Sequence, residues 1–376
     1  MKVLLCPLGD PGYLYPALAV GRELRRRSHD VRVLTGTGGA PAVAAAGLDA
    51  SVTADATALS VSHWTVRGEA QYAEVAAEAR RSRPDVLLTS VLCHGALVAA
   101  EAAGVPVVVL GLAAHLWPYR DGPEAPDARS RTWRLTETLK HHAAVRDAAG
   151  LAPRPGRAPD APLLGDAFLL RGHPLLEVSG AELPPSVRHV GPCWWEPDAP
   201  PEAAPPEPLP DDRPLAYVHL GRTFGGGSLW PRLNAAFTGG THRGVVELGR
   251  SAPAEADPGA DLVVGRRPWM GPLLARAEVV LTNATSAPVL GALLYGHPLL
   301  VAPNGSEQQV LAAACLRAGV ARRLPEPDAG DGALRAAVTA AAGDAALRAR
   351  AAEVGGLLAD GKSEARAADA VETAAR

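Results

Sequence analysis

The chain has 376 residues, 47% of them apolar, which is too long for one small core and enough for two α/β domains of ordinary size. A net charge of −3 gives no electrostatic reason to expect nucleic acid or an anionic membrane as partner, and no run approaches the ~18 apolar residues of a membrane helix. Lysine occurs only at Lys2, Lys140 and Lys362, so the arginine excess reads as the composition of a high-GC genome and not as a phosphate-binding signature. Cys6, Cys93, Cys193 and Cys315 are far apart and form no C-x-x-C pair, as expected of reduced thiols in a cytoplasmic protein.

In chain order, Met1–Leu5 reads as a buried strand, too short in its apolar run for a signal peptide, and Gly9-Asp10-Pro11-Gly12 as a turn. Pro16 to Arg27 reads as an amphipathic helix with proline in its first turn. Strands follow at Asp30–Thr35, Pro84–Leu88 and Val105–Leu110, with a helix over Gly95–Ala103. Glu196 to Pro214 is Pro-rich and acidic, which suits a stiff solvated linker. Beyond it strands are expected at Leu215–Leu220, Gly244–Leu248, Asp261–Val264, Val279–Thr282 and Leu299–Ala302. Helices are expected at Pro288–Leu294, Gln308–Ala318 and across the Ala-rich tail. Alternating strands and helices mean parallel α/β sheets. The fold class is therefore α/β, two Rossmann-like domains facing across a cleft, with domain 1–195, linker 196–213 and domain 214–376.

The stretch Arg267 to Gly319 resembles the donor-binding motif of inverting GT-B glycosyltransferases, the family that includes plant, macrolide and antibiotic enzymes. The resemblance is carried by Leu273-Leu274, Val279–Thr282, Leu290–Pro298, Leu299–Pro303, Glu307-Gln308 and the helix ending at Gly319. The opening P-L-G-D-P-G-Y-L-Y-P, Arg146–Leu151 and His189–Pro192 match elsewhere, so the resemblance covers nearly the whole chain. It implies transfer of a sugar from a TDP- or UDP-linked donor to a small natural-product acceptor, with inversion and no other cofactor. No H-x-x-x-H or D-x-D constellation implies a metal. The expected partner is a secondary metabolite, not nucleic acid or a membrane; a homodimer is compatible with the sequence, which does not give the oligomeric state.

Inverting transfer needs a base for the acceptor hydroxyl and a grip on the departing diphosphate. The position of the family's catalytic His is Tyr13, a weak base with an unperturbed pKa of about 10. The position of its orienting Asp is Ser90. Asp10 is the alternative base, against a plain turn role; His94 and His115 are further candidates, against structural histidines. On the donor side the family's His-Gly-Gly run reads Asn283-Ala284-Thr285, and its next hydroxyl and ribose carboxylate read Pro288 and Gly291. Asn283 keeps an amide donor, and Thr285 and Ser286 stand at a helix start, itself an anion site. Arg222 and Thr223, in the Gly-rich loop after the strand ending at Leu220, are further phosphate candidates, against a plain loop tip. Glu307 and Gln308 are candidates for the sugar hydroxyls, against a helix start. The family's base-stacking Trp and its Gln fall on Arg267 and Met270; Trp269 serves in their place or belongs to the core. His63, Trp64, His115 and Trp117 are expected in the acceptor pocket, against ordinary packing, and Trp194-Trp195 at the domain junction. The coincident substitutions support a second reading: a pseudo-glycosyltransferase that has lost donor chemistry and acts as a binding partner or on a different reaction.

Overall fold

The computed structural model describes residues 1–61, 65–152, 160–198, 213–219, 226–249, 255–305, 307–330 and 332–376. The sequence candidates His63, Trp64, Arg222 and Thr223 and most of the Pro-rich linker lie outside the described residues.

The first half runs β1 (Lys2–Cys6), α1 (Pro11–Arg26), β2 (Asp30–Thr35), α2 (Ala40–Ala45), β3 (Asp49–Val52), α3 (Gly68–Ser82), β4 (Val86–Ser90), α4 (His94–Ala103), β5 (Val107–Leu110), α5 (Ala128–Ala148), α6 (Ala161–Leu164), β6 (Ala167–Leu170) and β7 (Val187–His189). The second runs β8 (Leu215–His219), α7 (Gly226–Phe237), β9 (Arg243–Glu247), β10 (Leu262–Gly265), α8 (Gly271–Leu274), β11 (Ala277–Thr282), α9 (Ser286–Leu294), β12 (Leu299–Val301), α10 (Gln308–Arg317), β13 (Ala321–Arg323), α11 (Ala333–Gly343), α12 (Ala345–Leu358) and α13 (Ser363–Ala374).

The chain divides into two compact units. Unit 1 holds residues 1–174, 179–197 and 361–376, and unit 2 holds 175–178 and 198–360. The sequence division ends its second domain at 376, whereas the contacts return the last residues to unit 1. The cause is α13. Ala367, Ala368 and Val371 of this helix are buried in the unit 1 core with Leu18, Val20 and Leu24 of α1. Arg27 reaches Asp369 at 2.6 Å and Glu372 at 3.1 Å, and His29 reaches Glu372 at 2.9 Å.

Unit 1 has a seven-stranded sheet in the order β3-β2-β1-β4-β5-β6-β7, and unit 2 a six-stranded sheet in the order β10-β9-β8-β11-β12-β13. Every strand pair in both sheets is parallel. The central strands are buried along their length, β4 (V-L-L-T-S) at every position, because a parallel sheet covered on both faces buries both sets of side chains. Each order reverses once, between β1 and β4 in unit 1 and between β8 and β11 in unit 2. At such a reversal the crossovers leave on opposite faces, opening a crevice at the carboxyl ends of the strands.

The first helix corrects the sequence reading. It begins at Pro11, five residues before Pro16. Pro11 takes the first helical position, where a missing N–H costs nothing, and Pro16 lies inside the helix.

Candidate functional site

In unit 1 the reversal point is the loop from β1 to α1. The Ser90 hydroxyl, at the end of β4, accepts from Leu8 N at 2.9 Å. The residue in the place of the family's orienting carboxylate is thus used to hold the first loop. Asp10 is the N-cap of α1, extended, and its side chain does not cap the helix. Instead its Oδ2 accepts from Val61 N at 3.1 Å. Tyr13 follows in the first turn of α1 and is half-buried. Pro16 has no N–H to offer the Gly12 carbonyl four residues back. Arg171, directly after β6, supplies that bond from Nη2 at 3.1 Å, and its Nε donates to Gly111 O at 2.9 Å. Sequence reasoning missed Arg171; the available signal was a charged residue at the end of an apolar strand.

His94 opens α4 and is buried. Burial, with His142 and His141 nearby, pushes its imidazole down to about 3, which makes it a feeble proton acceptor. His115 and Trp117 are wholly buried. The His115 ring packs edge-on against Phe168 at 6.1 Å and tilted against Tyr119 at 6.2 Å. Arg131 donates to the His115 and Trp117 carbonyls, pairs with Asp127 at 3.1 Å and lies 4.6 Å over the Tyr119 ring. The aromatic cluster therefore forms the packed interior of the loop after β5. His115 is pushed down to about 3 by burial and by the Arg131 charge. Trp195 packs within unit 1, edge-on to Tyr15 at 5.4 Å and under Arg22.

In unit 2 the reversal point brings Asn283, Thr285 and Ser286 together at the start of α9. The Asn283 Oδ1 accepts from Thr285 N at 3.2 Å and Thr285 Oγ1 at 3.1 Å, while Thr282 Oγ1 accepts from Ala284 N at 3.2 Å. These bonds fix which side of the amide is oxygen. Its Nδ2 is buried and has no hydrogen-bond partner among the described residues, and Asn283 is 0% exposed. Ala284 is held at φ 64, a left-handed conformation that costs an alanine about 1–2 kcal/mol. The turn swings the chain into α9, whose N-cap Thr285 makes no side-chain cap. Pro288, within that turn, brings no N–H.

Glu307 is the N-cap of α10, with no side-chain cap. Gln308 is buried, and its Oε1 accepts from Asn304 N at 2.8 Å, closing its own loop. Trp269 is core. Two residues absent from the sequence reading also stand at these strand ends. His219 ends β8 in register with Thr282 and Glu247, and burial pushes its imidazole down to about 4. Glu247 ends β9, buried, with its carboxylate accepting from Gly249 N and Arg267 N; burial raises its pKa against the pull of those bonds. Arg267 closes over the same carboxylate at 3.7 Å. Among the described residues no group of three or more His, Cys, Asp or Glu is arranged to hold a metal, and no helix is long and apolar enough to cross a membrane.

The arrangement of two parallel sheets recurs along the full chain in solved structures. The kitacinnamycin glycotransferase superposes with a TM-score of 0.76 at 22% identity, covering 100% of this chain and 99% of that one. CalG4, the calicheamicin glycosyltransferase, superposes at 0.72 with 20% identity, covering 99% and 98%. The fold is GT-B. The GT-B resemblance drawn from the motif residues thus holds over both units. No protein-family model matches the chain. In sequence, the GT-B chain is 30% identical to the 4'-demethylrebeccamycin synthase of Lentzea aerocolonigenes over 274 residues, 65% of this chain and 64% of that protein. It is 33% identical to a PGL/p-HBAD biosynthesis glycosyltransferase of Mycobacterium tuberculosis over 168 residues, 41% of this chain and 35% of that protein. The matched stretches therefore span less than two thirds of these relatives.

Proposed function

We propose that the protein transfers a sugar from a nucleoside diphosphate sugar, TDP- or UDP-linked, to a hydroxyl of a small natural product, with inversion. The observation that carries this reading is the start of α9: a buried amide N–H2 with no partner among the described residues, beside a helix N-terminus without a side-chain cap. A buried donor left unmade costs about 1–3 kcal/mol, which a bound anion recovers. The N-terminus of the helix adds orphan N–H groups and the positive end of its dipole. Together they suit the diphosphate, which bears the charge that develops as the sugar leaves. The named relatives and structural neighbours, one of them solved with DTDP, favour the same class of donor and acceptor.

Calorimetry and thermal unfolding with TDP and UDP test the reading. Nucleotide at 100 times its Kd raises stability by about 2.7 kcal/mol. Absence of any shift at millimolar nucleotide would remove the donor site and leave the second reading, a protein that kept the fold and lost donor chemistry. That second reading draws on unit 1, where the Ser90 hydroxyl and the Asp10 carboxylate accept from the backbone N–H groups of Leu8 and Val61.

A further inference from the structure

In the unit 2 sheet the crossovers β8 to β9 and β11 to β12 leave the reversal point in opposite directions. Right-handed crossovers then put α7 and α9 on opposite faces. Ala216, Val218, Val246 and Leu281 share a core with Leu229 and Leu233 of α7. Side chains alternate between faces along a strand, so His219, Glu247 and Thr282 lie on the other face, that of α9. His219 and Thr282 are register partners at the carboxyl ends of β8 and β11, and Asn283 follows Thr282 directly. Neighbouring strands lie about 4.8 Å apart, so His219 stands beside the turn that opens α9. Its Nδ1 is buried and, like the Asn283 Nδ2, has no hydrogen-bond partner among the described residues. Two adjacent strand ends therefore each bring an unpaired buried polar atom to one helix N-terminus.

The neighbours of His219 leave it room to become charged. Tyr217 lies on the same face two residues earlier, with ring centroids 6.4 Å apart. Glu247, in register on β9, has its carboxylate occupied by Gly249 N and Arg267 N, with the Arg267 guanidinium at 3.7 Å. Helices α8 (G-P-L-L) and α9 (S-A-P-V-L-G-A-L-L) carry no titratable side chain, and α10, on the same face by the same crossover rule, brings Glu307 at its N-cap, beyond β12. Burial pushes the His219 imidazole down to about 4, so it is neutral at ordinary pH until an anion adjoins it. A neighbouring diphosphate favours the imidazolium and raises that value.

We propose that His219 is a diphosphate-binding residue, joining Asn283 in holding the nucleotide of the sugar donor. This deepens the sugar-transfer reading and rests on it. The imidazole takes a proton from solvent as the diphosphate settles at the two strand ends and returns it when the nucleotide leaves; no covalent bond to the ligand is made.

The test is calorimetric titration of the full chain with TDP and with thymidine, or with UDP and uridine where UDP binds more tightly. Wild type is compared with His219→Phe, which keeps a ring against Tyr217, and His219→Gln, which keeps an amide donor. Diphosphate affinity should fall about 10- to 100-fold in His219→Phe and less in His219→Gln. The nucleoside, which has no phosphate, should bind all three alike. At about pH 6, in buffers of differing ionisation enthalpy, wild type should take up more protons on binding the diphosphate than His219→Phe does. An equal loss of diphosphate and nucleoside affinity would make His219 a packing residue of the strand end and overturn the proposal. Unchanged diphosphate affinity in His219→Phe, or equal proton uptake by the two proteins, overturns it as well. Should His219→Phe fail to fold, His219→Gln carries the same comparisons. Failure of TDP and UDP alike to bind wild type strikes the sugar-transfer reading instead, whereas binding with an unaltered preference for diphosphate over nucleoside in the variants strikes His219 alone.

Discussion

At the end of β4 the Ser90 hydroxyl is bonded to the first loop, and Asp10 nearby is bonded to Val61. At the end of β11, in the equivalent place of the other sheet, the Asn283 amide satisfies its oxygen within the turn, and its N–H2 has no partner among the described residues. The two reversal points share a topology and differ in how their polar groups are employed. Unit 1 engages its Ser90 and Asp10 side chains with backbone N–H groups, and unit 2 leaves the Asn283 N–H2 without a partner among the described residues. Position in an α/β sheet therefore selects where a ligand binds; the local hydrogen-bond inventory decides what kind of ligand is wanted.

The largest expected effect breaks the unit 2 side of the comparison. Asn283→Asp puts a carboxylate where the reserved donor stands, and TDP or UDP affinity measured by calorimetry should fall by more than about 100-fold. Asn283→Ala adds no charge; it removes the donor to a charged group, about 1.5–3 kcal/mol or roughly ten- to a hundredfold, together with the Oδ1 acceptor that holds Thr285. Unchanged affinity in both would mean that the amide faces no ligand. Next, Gly355 lets α12 approach α9: a Cβ there would lie 1.9 Å from the Leu293 carbonyl oxygen. Gly355→Ala should cost about 3 kcal/mol in denaturant unfolding and weaken nucleotide binding, because α9 must shift. Gly95→Ala, whose Cβ would meet Tyr72 N at 2.3 Å in unit 1, should destabilise while sparing nucleotide affinity. Equal effects of the two on affinity would erase the distinction between the units.

Ser90→Ala leaves the Leu8 N–H buried and unpaired, so unfolding free energy should fall by about 1–3 kcal/mol with nucleotide binding intact. A stability equal to wild type would show that water or a loop shift replaces the bond. The smallest effect is on pH dependence. Glu23 is held at about 2 by hydrogen bonds from Arg26 and then Arg27, and Glu372 is lowered by His29 and Arg27. A carboxylate lowered in the folded state contributes stability that is present above its unfolded pKa of about 4.3 and is lost as pH falls through the folded value. Unit 1 should weaken on acidification from about pH 5 toward 2, and Glu23→Gln should flatten that slope. A parallel slope in the variant would assign the acid loss to other groups.

Much of the fold was legible because buried parallel strands announce themselves as apolar runs: Asp30–Thr35 coincides with β2, and Leu215–Leu220 contains all of β8. Helix α5 was not. Its buried residues include Arg131, Arg134, Thr138 and His142, so the side that faces inward carries no apolar stripe for a periodicity search to find. The start of α1 was misplaced because proline is expected in a first turn, and the residue that makes an internal Pro16 tolerable, Arg171, is remote in sequence. For the site, motif spacing located Tyr13, Ser90 and Asn283 at the two reversal points. Their roles were not legible, since a hydroxyl or carboxylate reads the same whether it holds a ligand or its own loop. Arg171 was hidden by the arginine-rich composition, and His219 and Glu247 by their isolation at strand ends.

The placement of α13 on α1 has a consequence for synthesis. Unit 2 interrupts unit 1 in the sequence, and Val371 and Ala367 complete an apolar layer begun by Leu18 and Leu24. On the ribosome, the sheet of unit 1 emerges first yet lacks one wall until the final helix has been made. Unit 2, whose residues are contiguous apart from a short segment, has everything it requires earlier. The nascent chain therefore carries an unfinished amino-terminal half through most of its elongation, with an exposed apolar face of the kind that chaperones shield.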